Sequence, residues 1–454
     1  MKTLRAQSGG ATLRSIIVVL IVALLGVLVY LGLAVSRGPM DFAARGSAPA
    51  AGYTGADPTG VPAELAAASL VARGEYLTRA ADCEVCHTSK GGQPFAGGRP
   101  FVLAFGTLYS PNITPDADTG IGKWSDADFL RALHQGRDDQ SVPIYPAMPY
   151  ASYTYMTDAD ALAIKAYLFS LAPVHADAPS DTLAFPFNQR WLIGVWTSLF
   201  DADKRFQPDT SQSAEWNRGA YLSEALAHCG ECHTPRNLAF ALNNRRKFAG
   251  AVTAGWRAYN ITSDKASGVG GWSEDDLFDY LSSGHSAGHG TASGPMGEAV
   301  DQSFSHMAPE DIRAVVAYLR SVPAKTSSDL PATLAPPASD SHRGDVANAR
   351  GKQVFEQACA SCHSWSGVSP IIPFATLTGA RAVNDPSAVN VAQIVIAGTR
   401  RITPHGTVVM PAFDSTYSDT EIADVANYVT ARFGSKASAI AERQVASLRK
   451  QASQ

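Results

Sequence analysis

One five-residue pattern, Cys-x-x-Cys-His, accounts for every cysteine in this 454-residue chain. It occurs three times, at residues 83–87, 229–233 and 359–363. Paired cysteines fit a disulfide, half of a zinc site or a redox dithiol, but none of these needs the histidine. Haem attachment does need it, because two thiols bind the porphyrin and the adjacent imidazole binds the iron. The pattern favours three haem c groups over zinc or disulfides. The predicted attachment points are Cys83, Cys86, Cys229, Cys232, Cys359 and Cys362, and the predicted iron ligands are His87, His233 and His363.

Chain length and charge narrow the function further. At about 100 to 200 residues per domain, the chain has room for three domains, one for each motif. The net charge is only −4 and there is no long basic block, so nucleic acid is not expected as a partner. We find no nucleotide-binding glycine loop, nucleophile elbow or metal-binding histidine pair. Substrate chemistry is therefore expected in another subunit.

The N-terminal region contains an uncharged apolar run, residues 15–35. A helix that crosses a bilayer needs about 20 such residues. Lys2, Arg5 and Arg14 precede the run, which by the positive-inside rule keeps the N-terminus in the cytoplasm. A cleaved signal peptide is the alternative, although its apolar region is usually shorter. The sequence predicts a retained single-pass anchor, residues 1–36, in the inner membrane of a bacterium, with the haem domains facing the periplasm.

The surroundings of the three motifs also repeat. An Arg-Gly pair opens a helical run before each motif, with the glycine at Gly74, Gly219 and Gly351. A second helical run, with apolar residues at three- and four-residue steps, carries a late tyrosine after each motif: Tyr167, Tyr318 and Tyr428. Glycine has no side chain, so an aromatic residue of the second helix can approach it closely. We expect each module to hold its haem between its first and last helices.

The modules differ in length. Residues 112–129 align without a gap with residues 260–277, and both begin with Asn-Ile-Thr, whereas the third module lacks this stretch. Segments rich in Ala, Pro, Ser and Asp separate some modules, as linkers do. The predicted division is an anchor (1–36), a linker (37–66), the first module (67–178), an apolar segment (179–212), the second module (213–325), a linker (326–346), the third module (347–434) and a solvated basic tail (435–454).

The apolar segment contains the run FPFNQRWLIGVWTSLF, residues 185–200. Two interpretations are open. Its aromatic residues, Trp191 and Trp196 among them, pack the first two modules together as core, or they form an exposed patch for a partner subunit or a membrane surface.

A haem iron that only carries electrons needs a sixth ligand, and methionine is the usual one in small cytochromes. The third module has a single methionine, Met410, which sits before a proline in a loop ahead of the last helix. Met148 and Met296 occupy similar proline-bounded loops in the first and second modules. The sequence therefore predicts Met148, Met296 and Met410 as iron ligands.

Other candidates fit less well. Met156 and Met307 stand directly before a helix start, where the third module has Tyr417, so we interpret them as hydrophobic staples. The histidines of the modules do not recur at one equivalent position, and we interpret most of them as surface or hydrogen-bonding residues. They are His134, His228, His285, His289, His306 and His405, the last in the same loop as Met410.

Several stretches together resemble a known family: Leu-Val-Ala-Arg-Gly-Glu-Tyr-Leu, the paired Asn-Ile-Thr stretches, Pro-Ala-Met-Pro-Tyr, and Ala-Glu-Trp-Asn-Arg-Gly-Ala-Tyr-Leu. With three haem motifs, residues 67–434 resemble the triheme cytochrome c subunits of bacterial membrane-bound dehydrogenases. The resemblance implies a mainly α fold, with an N-terminal transmembrane helix followed by three tandem class I cytochrome c-like domains. It also implies an electron-transfer subunit without substrate catalysis of its own.

In such a complex, electrons leave a catalytic subunit that bears pyrroloquinoline quinone, flavin (FAD) or molybdopterin. They pass along the haems to ubiquinone or a terminal oxidase. A free-standing electron carrier is the alternative. A haem enzyme such as a peroxidase is disfavoured, because it needs an open iron site and three methionine-filled sites leave none.

Overall fold

The computed structural model describes residues 9–35, 57–201, 203–327, 348–403 and 406–452. These residues are mainly helical, and their strands form two-stranded antiparallel hairpins. The first helix is α1 (Gly9–Val35). Lys2, Arg5 and most of the two predicted linkers lie outside the described residues.

The predicted transmembrane anchor is wrong. Among the described residues, no helix is both long and apolar enough to cross a membrane. The transmembrane part of the predicted fold and the single-pass inner-membrane location are corrected accordingly.

The first module begins and ends with helices that pack against each other. Their starts follow from the sequence, because Ser69 and Thr157 cap the first and last helices and Ser125 forms a capping box with Asp128. Its elements are α2 (Leu70–Ala80), α3 (Cys83–Cys86), β1 (Pro100–Leu103), β2 (Gly106–Tyr109), α4 (Asp126–Gln135), α5 (Tyr150–Tyr153) and α6 (Asp158–Ser170). Helix α7 (Arg190–Phe200) follows it.

The second module repeats this plan with an added short hairpin. It comprises α8 (Ala214–Tyr221), a π-helical turn (Leu222–Leu226), α9 (Gly230–His233), β3 (Ala251–Thr253), β4 (Trp256–Ala258), α10 (Glu274–Ser283), β5 (His285–Ser286), β6 (Gly290–Thr291), α11 (Gly294–Gln302) and α12 (Pro309–Ser321).

The third module comprises α13 (Ala349–Val354), a π-helical turn (Phe355–Cys359), α14 (Ala360–His363), α15 (Val389–Ala397), β7 (Thr399–Thr403), β8 (Gly406–Met410), α16 (Asp419–Phe433) and α17 (Glu442–Ala452). Helix α17 lies in the predicted solvated tail. The structure instead packs it on α15 and α16, with Val445 and Leu448 buried in the core of the third module. Helix α17 is thus part of the fold of the third module.

The glycines of the three Arg-Gly pairs lie where first and last helices cross. A Cβ atom on Gly74 would come within 1.9 Å of the Ala163 carbonyl oxygen, and one on Gly219 within 1.9 Å of the Ala314 oxygen. In both modules the next residue that this atom would meet is the late tyrosine, through its Cβ, as the sequence predicts. The same atom on Gly351 would lie 2.2 Å from the carbonyl oxygen of Asp424.

The first two modules share one hydrophobic core, whereas the third has its own. Helix α7 contributes no buried residue to the shared core: Trp191 is 66% exposed and Val195 51%. Trp196 instead donates its indole N–H to the Ala239 carbonyl of the second module, at 2.7 Å. The apolar run 185–200 is therefore a partly exposed connector between the two modules.

Candidate haem sites

The three motif histidines make the same hydrogen bond. In each, the ring atom Nδ1 faces a backbone carbonyl, which can only accept, so Nδ1 carries the proton and Nε2 keeps its lone pair. A partner on Nδ1 fixes both the tautomer and the ring orientation of a metal-binding imidazole. The pairs are His87 with Pro111 at 2.8 Å, His233 with Tyr259 at 2.6 Å, and His363 with Ala375 at 2.6 Å.

The paired Asn-Ile-Thr stretches hold two of these carbonyls in place. The Asn112 carboxamide accepts from the Thr114 backbone and donates to the Val174 carbonyl at 2.7 Å. Asn260 makes the equivalent bonds in the second module. The residue just before each asparagine, Pro111 or Tyr259, supplies the acceptor for the histidine. The sequence shows this repeat, but only the structure shows its role.

The third module lacks the Asn-Ile-Thr stretch, and a different segment supplies the acceptor for its motif histidine. Its acceptor, Ala375, belongs to a 3₁₀ turn, Pro373–Ala375, that follows the motif closely in sequence. The third module thus makes the same hydrogen bond with fewer residues between the histidine and its acceptor.

Five of the motif cysteines are half-buried and Cys362 is exposed. Burial raises the pKa of Cys86 and Cys229 to about 12, and that of Cys232 and Cys359 to about 11. A reactive dithiol needs the opposite shift, because its thiolate must be populated near neutral pH. A zinc site would need at least three such ligands together, and the part of the chain described here contains no such group. Each motif therefore fits thioether attachment of haem, with an oriented imidazole beside it.

The predicted methionine ligands occupy different local structures. Met148 lies in the loop between α4 and α5, Met296 in the first turn of α11, and Met410 at the end of β8. The loop expected from the sequence is thus found only for Met148. All three are half-buried and pack against the core of their own part of the molecule. They remain predicted ligands.

Met156, Met307 and Tyr417 each occupy the position just before a helix N-cap. Met156 is 1% exposed and Met307 8%, and both belong to the shared core. In a hydrophobic staple this residue packs against the fourth residue of the helix. Those residues are buried in the same cores, which agrees with the staple interpretation: Ala161, Ile312 and Ile422.

The histidines considered as alternative iron ligands contact other groups where the structure describes them. His134 is 1% exposed, and burial lowers its pKa to about 4. His289 stacks on the Trp272 ring with 3.7 Å between centroids. The remaining three contact the Tyr153 ring (His228), the Thr291 hydroxyl (His285) and the Asp301 carbonyl (His306). His405 lies outside the described residues.

A reciprocal pair of hydrogen bonds joins the first two modules, and sequence reasoning missed it. Tyr76 of α2 donates to Asp311 of α12 at 2.6 Å, and Tyr221 of α8 donates to Asp160 of α6 at 2.5 Å. Each aspartate is the third residue of the last helix of the other module. The Tyr in Arg-Gly-x-Tyr and this Asp recur in both modules, so the repeat did contain a signal. Neither residue by itself reveals a contact across modules.

Two family models match parts of the chain. Residues 71–172 match the family model for cytochrome c, and residues 346–429 match the model described as cytochrome c oxidase, cbb3-type, subunit III. Such domains indicate covalently bound haem c.

Curated relatives match most of the chain. The fructose dehydrogenase cytochrome subunit of Gluconobacter japonicus is 39% identical, over 84% of this chain and 82% of that protein. The gluconate 2-dehydrogenase cytochrome c subunit of Pantoea cypripedii is 38% identical, over 84% of this chain and 90% of that protein. A nicotinate dehydrogenase subunit of Pseudomonas putida is 41% identical over 81% of this chain, which spans only 30% of that longer protein.

The fructose and gluconate matches cover the first, second and third motifs together rather than one domain. These two relatives are cytochrome subunits of dehydrogenases. The chain therefore belongs to the family of cytochrome c subunits of bacterial dehydrogenases.

Proposed function

We propose that this chain binds three haem c groups and carries electrons from a catalytic dehydrogenase subunit to ubiquinone or a terminal oxidase. The observation that carries the proposal is the hydrogen bond between motif histidine and carbonyl, made in all three modules. Bound haem supplies reversible one-electron chemistry at iron. The chain anchors it through paired thiols, orients the imidazole and packs apolar side chains around it.

Met148, Met296 and Met410 serve as the sixth ligands in this proposal. A neutral thioether favours ferrous iron, which raises the reduction potential and closes the iron to small molecules. Met156 and Met307 are less suitable, because the packing before α6 and α12 already uses their side chains. With each iron filled on both faces, the protein conducts electrons and does not activate oxygen or peroxide.

The partner in this proposal is a larger subunit that holds the substrate and a second redox group. Two of the relatives are named as cytochrome subunits of fructose and gluconate dehydrogenases, and a third belongs to a nicotinate dehydrogenase. The partner is accordingly an alcohol, sugar or aldehyde type of dehydrogenase that contains pyrroloquinoline quinone, flavin or molybdopterin.

Haem content is tested one module at a time. Protein made with intact haem-attachment machinery is expected to carry three haems by intact mass. Replacing both motif cysteines by alanine in one module is expected to remove one haem and leave the others, because each module holds its own site. The three double variants, Cys83/Cys86, Cys229/Cys232 and Cys359/Cys362, serve as controls for one another. Fewer than three haems in the unaltered protein contradicts the triheme proposal.

Electron transfer is tested on the native complex. Gentle extraction from the source cells is expected to recover the cytochrome together with a larger catalytic subunit. Substrate added to that complex should reduce all three haems, whereas the isolated cytochrome should oxidise nothing. If the cytochrome is recovered alone, and dehydrogenase activities survive deletion of its gene, it is a free-standing carrier instead.

A further inference from the structure

Arg401 is a buried cation of the third module whose described partners lie in the second. It is 1% exposed. Its guanidinium donates to the Gly297 carbonyl at 2.7 Å and to the Ser283 carbonyl at 3.0 Å, and it pairs with the Asp301 carboxylate at 3.2 Å. A buried guanidinium with three acceptors fixes the geometry of everything it contacts.

The strand that carries Arg401 belongs to the hairpin that ends in Met410. In β7 and β8, Arg401 lies opposite Val408, and Thr399 lies opposite Met410. Side chains alternate across a strand, so these four share one face of the hairpin. That face is covered, whereas Ile402 and others on the opposite face are exposed. Arg401 thus reaches the second module from the same face that presents the predicted ligand of the third.

The acceptors of Arg401 lie on both sides of Met296 along the chain, the predicted ligand of the second haem. Ser283 is the last residue of α10, and Gly297 and Asp301 lie one turn apart on α11. Met296 directly precedes Gly297 in the first turn of α11. Arg401 therefore binds the segment that leads from α10 to Met296 at both of its ends.

Gly284 shows how close this approach is. It follows Ser283 with φ +76°, and a Cβ atom there would lie 2.1 Å from a guanidinium nitrogen of Arg401. A side chain at this position would displace Arg401, so the end of α10 and the arginine fit each other only through the glycine.

We propose that Arg401 is a positioning residue that holds Met296 in place from the third module. The sixth ligand of the second haem then depends on the docking of the third module. This inference rests on the proposed function, because it takes Met296 as an iron ligand. Without Arg401, the Gly297 and Ser283 carbonyls lose their guanidinium donor, the Asp301 carboxylate loses its paired cation, and the segment that carries Met296 loses one buried restraint.

The test uses the full-length protein with its haems attached, compared with Arg401→Leu. Three readouts apply: the methionine–iron charge-transfer band of the oxidised protein, carbon monoxide binding by the reduced protein, and a redox titration. The variant is expected to lose about one third of the band intensity, because one haem of three loses its methionine ligand. Its reduced form should bind carbon monoxide at that haem, and one of its reduction potentials should be shifted downward. Arg400→Leu, an exposed change one residue away on the same strand, is the matched control and should behave as the unaltered protein.

A second variant separates position from charge. A buried cation by itself also favours ferrous iron, and Arg401→Lys keeps that charge without the planar fork. We expect the lysine variant to recover the band only in part. Full recovery shows that charge alone matters and overturns the positioning role.

Other results also decide whether the inference or the proposed ligands are wrong. If Arg401→Leu keeps all three haems, the full band and no carbon monoxide binding, the inference is wrong while the proposed function stands. If the unaltered protein lacks methionine-ligated haems, the proposed ligands themselves fail. Should Arg401→Leu not retain its haems, Arg401→Gln, which keeps a polar side chain with amide donors, is measured in the same way and judged by the same criteria.

Discussion

Replacing Gly219 by alanine tests the helix crossing that builds the second module. The added methyl carbon would lie 1.9 Å from the Ala314 carbonyl oxygen and 2.8 Å from the Cβ of Tyr318. Ordinary contact begins near 3.4 Å, so α8 and α12 must separate by roughly 1.5 Å. The obstacle is backbone, which cannot rotate aside as a flexible side chain does.

The expected cost follows from what the separation disrupts. Tyr318 is fully buried and donates to the Glu224 carboxylate at 2.5 Å, a bond that depends on the two helices staying together. Overpacking usually costs about 1 to 3 kcal/mol, and a backbone clash belongs at the upper end. The higher helix propensity of alanine relative to glycine offsets about 1 kcal/mol of this cost. We expect the free energy of unfolding to fall by about 2 kcal/mol.

Calorimetry of the haem-containing protein measures this effect. Because the chain has several modules, the transition of the first two modules is compared rather than a single melting temperature. Gly194→Ala on α7 is the matched control: its nearest neighbour is the end of the Pro143 ring at 3.3 Å, which can shift. That variant should be neutral or slightly stabilised. An unchanged transition in Gly219→Ala, with all three haems present, would refute the crossing as described.

Three further predictions concern single side chains. In calorimetry, Tyr221→Phe should destabilise the first two modules by about 1 kcal/mol more than Tyr76→Phe does. After Tyr221→Phe, the Asp160 carboxylate keeps only the neutral Gly60 N–H as a donor, whereas after Tyr76→Phe the Asp311 carboxylate keeps the charged Arg218. Burial lowers the pKa of His134 to about 4. The pKa of a histidine in an unfolded chain is about 6.5, so the stability that depends on the neutral ring is lost as pH falls from about 6.5 to about 4. In His134→Gln, the melting temperature should therefore change less with pH over that window. Met410→His should keep one iron six-coordinate but lower its potential, and a redox titration in which no component moves would exclude Met410 as a ligand.

Local features of the fold were predictable from the sequence. The Cys-x-x-Cys-His motifs, the Arg-Gly pairs and the capping residues at helix starts each span only a few positions of the chain. Their physical requirements, such as a missing Cβ or a hydroxyl at an N-cap, can be read directly from residue type. The staple interpretation of Met156 and Met307 rests on the same kind of local signal.

Met296 shows where such reasoning fails. Pro295 and the neighbouring glycines suggest a loop, yet the segment is the first turn of α11. Proline is well tolerated there, because the first N–H groups of a helix have no intrahelical acceptor. The same composition therefore suits a loop and a helix start, and only the packing of α11 distinguishes them.

Contacts between distant segments were the part that sequence could not supply. Tyr76 and Asp311 are 235 positions apart, and no periodicity links them. Arg401 stands in an Arg-Arg pair of which one member is exposed and the other buried. The strand alternation that decides between them becomes visible only once β7 and β8 are paired. The apolar residues of α17 were likewise too few to show that the tail is packed.

The interfaces between modules differ in kind, although the modules share one plan. Gln353 stands in the third module where the first two have Tyr76 and Tyr221, so the reciprocal bonds cannot form there. The third module docks on the second through polar groups instead, as when Asn390 exchanges two hydrogen bonds with the backbone of Arg257. The described residues of the two modules belong to separate hydrophobic cores.

This difference separates the effects of mutation at the two interfaces. A change between the first and second modules disturbs a common core, so it should act mainly on folding. A change between the second and third modules breaks directional bonds to segments that also hold His233 and Met296, while each core remains intact. Such a change should therefore act on the axial ligands of the second haem before it acts on stability, which is why Arg401 is judged by spectra and potentials rather than by melting.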